Sequence, residues 1–227
     1  MIQSARDTVA VAQPVPQIRL YARWLEAERG LAFADYEALH RWSVNDPEGF
    51  WRSIWDYFQL QSPTPFAAAL GKTAMPGATW FDGAQVNYAR QVFRHVAAAE
   101  AAGQPAIVAE TERGETAVLT WAELERQTAS LALALRDRGI GPGDRVAGYL
   151  PNGPAAVIGL LACASLGAIW TLCSPDMGTS AVLDRFRQTR PKALIATDGV
   201  FYAGKVIDRS DAVTTIRQEL PCIESLF

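Results

Sequence analysis

The stretch GVFYAGKV, residues 199–206, is the part of the sequence whose spacing best suits phosphate binding. It follows the apolar run ALIAT and fits the pattern Gly-x-x-x-x-Gly-Lys, in which backbone amides and a lysine hold nucleotide phosphates. The next position should carry a hydroxyl for the magnesium ion, but it is Val206. Bulky side chains also fill the interior, where small residues would let the amides converge. We therefore predict that the stretch is not an ATP loop, although Lys205 can still meet a phosphate as a point charge.

A Walker-type nucleotide hydrolase remains open as an alternative. It requires magnesium-dependent ATP binding that is lost when Lys205 is replaced by alanine.

A second candidate is CSPDMGTS, residues 173–180. It follows a predicted strand and begins a predicted helix, which is the end of a parallel sheet where ligands bind. One interpretation is structural, with Asp176 or Thr179 capping the helix. The other is a loop that lines a cleft.

The remaining patterns indicate little chemistry. GIGPGD, residues 139–144, leads from a helix into a strand, whereas a dinucleotide loop leads from a strand into a helix. His40 and His95 have no paired nucleophile or carboxylate motif, so we expect no acyl-enzyme chemistry. No His or Cys stands at metal-ligand spacing, and we predict no metal site.

Composition narrows the class of protein. The chain has 227 residues, of which 49% are hydrophobic and 20% charged, as in an ordinary globular protein. A net charge of −3 removes the electrostatic reason to expect nucleic acid or an anionic membrane surface as a partner. Small anionic ligands would therefore be held by local groups.

The cysteines and the N-terminus suggest a cytoplasmic protein. Three scattered cysteines are too few for a disulfide framework. The opening MIQSARDTVAVAQPVPQ lacks a basic region followed by an apolar run, so we predict no signal peptide. The apolar stretch 155–173 is interrupted by glycines and hydroxyl residues, which favours a buried helix and strand over a membrane span.

From about Gln104 onward, strand and helix patterns alternate. PAIVAE and TAVLT, joined by TERGE, predict a hairpin, and Thr120 with Glu123 has capping-box spacing before a helix. The strands RVAGYL, AIWTLC and KALIAT suit burial on both faces. A last helix is predicted over 211–220 behind the cap Ser210. The fold class predicted is α/β, with a mostly parallel sheet flanked by helices.

The first hundred residues are aromatic-rich and helical. Asp46 is positioned to cap a helix that starts at Pro47, with Phe50, Ile54 and Phe58 on one face. Core packing is the simpler interpretation, and a platform for stacking bases or sugars is the alternative. A second apolar-periodic run, through Tyr88, Val92 and Val96, predicts one helix after an extended connection. We place the domain boundary between 1–100 and 101–227.

Longer segments resemble a known family. LTWAELERQTASLALALRDRGIGPGDRVAGYLPNGPAAVIGLLACASLGAIW is similar to the early N-terminal domain of the AMP-forming acyl- and aryl-CoA synthetases, the adenylate-forming superfamily. RWSVNDPEGFWRSIWDYF, PGATWFDGAQVNYA and CSPDMGTSAVLDRFRQTRPKALIATDGVFYAGK are similar to the acetoacetyl-CoA synthetase branch. The resemblance covers about residues 30–227.

This resemblance implies a ligase. Such an enzyme joins a carboxylate, here acetoacetate or a similar short-chain acid, to the α-phosphate of ATP with Mg²⁺ and releases pyrophosphate. The thiol of coenzyme A then displaces AMP to give a thioester. The acetyl- and propionyl-CoA synthetase branch is the alternative.

The sequence also departs from the family. The phosphate loop Thr-Ser-Gly-Thr-Thr-Gly-x-Pro-Lys is absent, and MGTSA is its nearest approach. The ribose-binding Asp and the C-terminal domain with its catalytic Lys are absent too. We therefore expect an N-terminal portion of such a ligase that has no catalytic residue, is inactive alone and holds no cofactor tightly. An incomplete sheet edge would favour self-association. A short, non-catalytic module that binds CoA or a partner chain is the rival hypothesis.

The family comparison implies one binding role. Where FYAGK stands, acetyl-CoA synthetases carry Arg-x-Gly-Arg, whose cations meet the phosphates of the CoA nucleotide. The matching positions are Tyr202 and Lys205. CSPD matches a Gly-Gly-Phe-Ser loop near the pantetheine path, so Ser174 and Asp176 are candidate cleft residues.

Overall fold

The computed structural model describes residues 15–227, which form two compact units that meet in sequence between Val86 and Asn87. The prediction that there is no signal peptide was made on residues 1–17. Of these, residues 1–14 lie outside the described residues. The domain assignment 1–100 and 101–227 stays a prediction.

The N-terminal unit is helical. It contains α1 (Gln17–Arg29), α2 (Tyr36–Asn45) and α3 (Pro47–Tyr57). The Asp46 carboxylate accepts a hydrogen bond from the amide of Gly49 at 2.9 Å, so the predicted cap is confirmed.

The aromatic face of α3 is mostly core, as predicted. Phe50 and Ile54 pack against the buried cluster of this unit, which consists of Tyr21, Leu25 and Leu39. The inclusion of Phe58 was wrong, because α3 ends at Tyr57 and the Phe58 side chain is 44% exposed.

The second unit alternates helices and strands. Its helices are α4 (Tyr88–Phe93), α5 (Val96–Ala101), α6 (Trp121–Asp137), α7 (Pro154–Leu166), α8 (Thr179–Thr189) and α9 (Ser210–Glu219). Its strands are β1 (Ile107–Glu110), β2 (Thr116–Leu119), β3 (Arg145–Tyr149), β4 (Ile169–Cys173), β5 (Ala193–Ala196), β6 (Gly199–Tyr202), β7 (Lys205–Asp208) and β8 (Ser225–Leu226).

A four-stranded parallel sheet in the order β4-β3-β5-β8 is the centre of this unit. On one face, Val146 and Ala193 pack in a cluster with residues of α6 and α7. On the other face, Ala147 and Leu194 pack in a cluster with residues of α8 and α9. Because successive strand residues point to opposite faces, these strands need apolar side chains at every position. The predicted helix-flanked parallel sheet is confirmed.

The close packing of α7 on the sheet depends on two glycines. The indole of Trp170 lies against both Gly148 and Gly159, and a Cβ at either position would stand 2.6 Å from its Cη2 atom. Only glycine leaves room for the ring there.

Two sequence expectations were wrong in detail. The apolar run from Tyr88 to Val96 forms two short helices instead of one, because helix α4 ends at Phe93 and α5 begins at Val96. Ser210 is the first residue of α9 and not its cap. Its amide donates to the carboxylate of Asp208 at 2.7 Å, so the acceptor at this helix start lies two residues earlier in the chain.

Candidate functional site

Both stretches that suggested chemistry leave the same edge of the parallel sheet. Strands β4 and β5 end at Cys173 and Ala196, and both pair in parallel with β3, which ends at Tyr149. The CSPD loop, residues 173–176, and the segment that leads from β5 into β6 therefore start at the same edge of the sheet, with the end of β3 between them. This is the carboxyl edge, where open α/β sheets bind ligands.

The stretch GVFYAGKV is a β-hairpin. Strands β6 and β7 are antiparallel, with Tyr202 directly opposite Lys205. The two turn residues, Ala203 and Gly204, have φ values of 50° and 75°. Two successive left-handed residues give the type I′ geometry that suits the twist of a tight hairpin.

This geometry excludes the Walker loop. In such a loop the lysine begins a helix whose amides face the phosphates, whereas Lys205 begins strand β7. The prediction that GVFYAGKV is not an ATP loop is confirmed. Tyr202 and Lys205 are both exposed and lie side by side at the hairpin tip.

The CSPD loop does not cap α8 through a side chain. The N-cap of α8 is Gly178, no side chain bonds to the helix start, and Thr179 is already the first helical residue. The capping interpretation of Asp176 and Thr179 was therefore wrong. Ser174 and Asp176 are exposed, while Pro175 between them is buried. Their assignment as cleft residues stays a prediction.

A buried tyrosine anchors this loop. Tyr149 at the end of β3 is fully buried, and its hydroxyl donates a hydrogen bond to the carbonyl oxygen of Pro175 at 3.2 Å. Burial raises the pKa of the Tyr149 phenol; the charge of Arg209 opposes this shift and that of Asp176 adds to it. Tyr149 and Arg209 were both missed by sequence reasoning, because each looks locally like an ordinary strand or helix-start residue.

Arg209 lies at the base of the β6–β7 hairpin, and its charge also acts on the buried Tyr149 phenol. Its amide donates to the carbonyl oxygen of Asp198 at 2.6 Å, which closes the base of the hairpin. Its Nε atom is buried without a hydrogen-bond partner among the described residues. Such a buried donor without an acceptor is rare in native structures.

The predicted site residues form one close pair and one separate loop. Tyr202 and Lys205 are cross-strand partners, and Ser174 and Asp176 share the CSPD loop. Within residues 15–227, no hydrogen bond or ion pair joins one pair to the other. In the same range, no group of His, Cys, Asp and Glu residues could hold a metal ion.

Two of the three cysteines, Cys163 and Cys173, are not disposed for nucleophilic chemistry. Burial raises the pKa of the Cys163 thiol to about 12, and burial raises the pKa of Cys173 as well. A thiol with a raised pKa carries little of the reactive thiolate at neutral pH.

Two families match consecutive parts of this chain. The family described as acetyl-coenzyme A synthetase N-terminus matches residues 36–92, and the AMP-binding enzyme family matches residues 93–225. The second match covers more than half of the chain. The chain belongs to the AMP-binding enzyme family.

Two curated relatives of this chain are both acetoacetyl-CoA synthetases. An acetoacetyl-coenzyme A synthetase of Rhizobium meliloti (strain 1021) is 38% identical over 200 residues, which are 87% of this chain and 30% of that protein. An acetoacetyl-CoA synthetase of Rattus norvegicus is 36% identical over 197 residues, or 86% of this chain and 29% of that protein. The chain thus spans about 30% of the length of these curated relatives.

A solved structure shares the fold. The acetoacetyl-CoA synthetase from Streptomyces lividans is 46% identical, with a TM-score of 0.86 over 92% of this chain and 32% of that one. This chain therefore has the fold of the corresponding part of that enzyme, which agrees with the resemblance found in the sequence.

Proposed function

We propose that this chain supplies the N-terminal region of an AMP-forming ligase that converts acetoacetate, ATP and coenzyme A into acetoacetyl-CoA, AMP and pyrophosphate. The observation that carries the proposal is the similarity in sequence and fold to acetoacetyl-CoA synthetases, at 46% identity for the solved structure. The acetyl- and propionyl-CoA synthetase branch remains the alternative for the acid.

The chemistry follows from the weakness of a carboxylate as an electrophile. Joining the carboxylate to the α-phosphate of ATP makes AMP a good leaving group, and the CoA thiol then forms the thioester. Both steps need fixed cations and amide donors where charge develops, with Mg²⁺ as the usual partner of the ATP phosphates. We assign no catalytic residue to this chain and expect it to be inactive alone.

The role we assign to the hairpin is binding a phosphate of the CoA nucleotide. Lys205 supplies the cation, and Tyr202 opposite it offers a hydroxyl or a ring face. Both side chains are exposed, so each contact is partly screened by water and we expect modest affinity. Ser174 and Asp176, on the CSPD loop, are the residues we propose along the pantetheine path.

A chimera tests the ligase assignment. In it, this chain replaces the matching N-terminal part of the Streptomyces lividans enzyme. We expect acetoacetate-dependent exchange of pyrophosphate into ATP and CoA-dependent thioester formation. Exchange with acetate but not acetoacetate would move the protein to the sister branch.

The isolated chain provides the second measurement. Calorimetric titration with CoA should show weak binding that the Lys205→Glu substitution abolishes. A folded chimera without ligase activity, together with CoA binding by the isolated chain, would favour the non-catalytic module instead. Absence of both would refute the proposal.

Location and self-association are further parts of the proposal. In the described part of the chain, no helix is long and apolar enough to cross a membrane. We propose a cytoplasmic location, which the three unpaired cysteines support.

Ile169 and Leu172 of the edge strand β4 are exposed, which supports self-association of the isolated chain in sedimentation experiments.

A further inference from the structure

Two hairpins of the second unit contact each other through residues far apart in the sequence. The turn between β1 and β2 carries Glu112 and Arg113. The guanidinium carbon of Arg113 lies 4.1 Å from the centre of the Phe201 ring in β6. The carboxylate of Glu112 accepts a hydrogen bond from the amide of Gly204 at 3.4 Å, across a sequence separation of 92 residues.

The β6–β7 hairpin needs such support. It is a separate two-stranded sheet, and a two-stranded hairpin is marginally stable by itself in water. Its turn also places Ala203, a residue with a Cβ, in the left-handed region. The hydrogen bond from the Gly204 amide to Glu112 lies at the residue that directly follows Ala203.

The alternation of side chains along β6 and β7 determines which face of the hairpin Arg113 covers. Phe201 pairs with Val206, while Tyr202 pairs with Lys205 one position further along. Successive residues point to opposite faces, so Arg113 stacks on the face away from Tyr202 and Lys205. The ligand-binding face is left open.

The charges of Glu112 and Arg113 leave the Lys205 ammonium group available to a phosphate. Among the ion pairs of the described residues, none joins Lys205 to Glu112. The Glu112 carboxylate is engaged by the Gly204 amide, and the neighbouring Arg113 offsets its charge against an approaching phosphate.

We propose that Glu112 and Arg113 are positioning residues that hold the β6–β7 hairpin in the conformation in which Lys205 meets a phosphate of CoA. This inference rests on the proposed function of the hairpin. Glu112 and Arg113 act through Gly204 and Phe201 and do not touch the ligand.

Amide hydrogen exchange on the isolated chain tests the physical contact. Glu112→Ala, which removes the acceptor, should speed exchange at Gly204, and Arg113→Ala should speed exchange across the β6–β7 ladder, each by about 3-fold for the loss of one exposed contact. Glu125→Ala and Arg126→Ala, on the exposed face of α6, are the matched controls and should change neither. Unchanged exchange in the first two variants would overturn the proposal.

Kinetics in the chimera with the Streptomyces lividans enzyme test the function. Arg113→Ala should raise the KM for CoA about 3-fold and leave acetoacetate-dependent pyrophosphate exchange unchanged. Arg113→Lys, which keeps a cation over the Phe201 ring, should restore part of the loss. Equal loss in both half-reactions would overturn the positioning role.

The two proposals fail differently. If Lys205→Glu leaves the KM for CoA unchanged while the Glu112 variant still loosens Gly204, the proposed phosphate contact is wrong and the contact between hairpins stands. If Lys205→Glu raises the KM and the Arg113 variants do not, the positioning role is wrong.

Discussion

The hydroxyl of Tyr149 donates a hydrogen bond to the carbonyl oxygen of Pro175, 3.2 Å away, and thereby joins the end of β3 to the loop after β4. Both residues are fully buried. The loop that carries Ser174 and Asp176 is therefore fixed from below by a side chain of the neighbouring strand.

Removing this hydroxyl should loosen the loop. Tyr149→Phe leaves the Pro175 carbonyl buried without its partner, which costs about 1 to 3 kcal/mol in free energy of unfolding. Urea unfolding measures the loss, and faster amide exchange at Met177 should accompany it. Tyr202→Phe is the control, because the structure gives its exposed hydroxyl no hydrogen bond. Equal stability of the Tyr149 variant and the parent would contradict this role.

Reversing the charge at the hairpin tip should affect only the CoA step. In the chimera, Lys205→Glu should raise the KM for CoA about 10-fold, as the loss of about 1.4 kcal/mol of binding would. Acetoacetate-dependent pyrophosphate exchange should stay nearly unchanged, because that half-reaction does not use CoA. Lys205→Arg keeps the charge and should behave like the parent. Equal damage to both half-reactions would rule out this assignment.

Filling the space beside Trp170 should destabilise the second unit. In Gly159→Ala the new methyl group would stand 2.6 Å from Cη2 of the indole, so the ring or α7 must shift. Overpacking of this kind costs about 1 to 3 kcal/mol, measured by urea unfolding. A Cβ at Gly141 meets nothing within 4 Å, so Gly141→Ala is the matched control. Adding Trp170→Phe to Gly159→Ala should recover part of the stability, and no recovery would argue against the steric explanation.

Alkaline pH should destabilise the fold through Cys163. Burial raises the pKa of this thiol from 9.0 to about 12 in the folded chain. The folded state then holds the proton more tightly than the unfolded state, so this contribution is complete below pH 9 and is lost as the pH rises toward 12. Unfolding free energies measured from pH 8 to pH 11 should fall less steeply in Cys163→Ala than in the parent. Identical slopes would show that another group controls the alkaline loss.

Much of the local structure could be predicted from short patterns. Asp46 before Pro47 predicted the start of α3, and the apolar strands around Val146 predicted a sheet buried on both faces. These predictions succeed because helix starts and strand burial depend on residues within a few positions of one another. The Ser210 prediction was wrong because α9 begins at Ser210 itself, and the Asp208 carboxylate accepts the hydrogen bond from its amide.

The candidate site was predictable only in part. The sequence placed Tyr202 and Lys205 after a buried strand, but the hairpin that pairs them across a turn appeared only in the structure. Nothing near Glu112 or Arg113 in the sequence indicates that they meet this turn.

By itself, then, the sequence determined several helices, the strands of the parallel sheet from β3 to β5, the family and the position of Lys205 after a buried strand, since each of these is written in local periodicity or in contiguous motifs. Only the tertiary structure decided the strand order β4-β3-β5-β8 and the contacts that depend on it. Tyr149 reaches Pro175 because β3 and β4 are neighbours, and Arg113 reaches Phe201 because two distant hairpins meet. The physical reason is that such contacts form between segments with no shared local pattern, and their geometry is set by the packing of the whole unit.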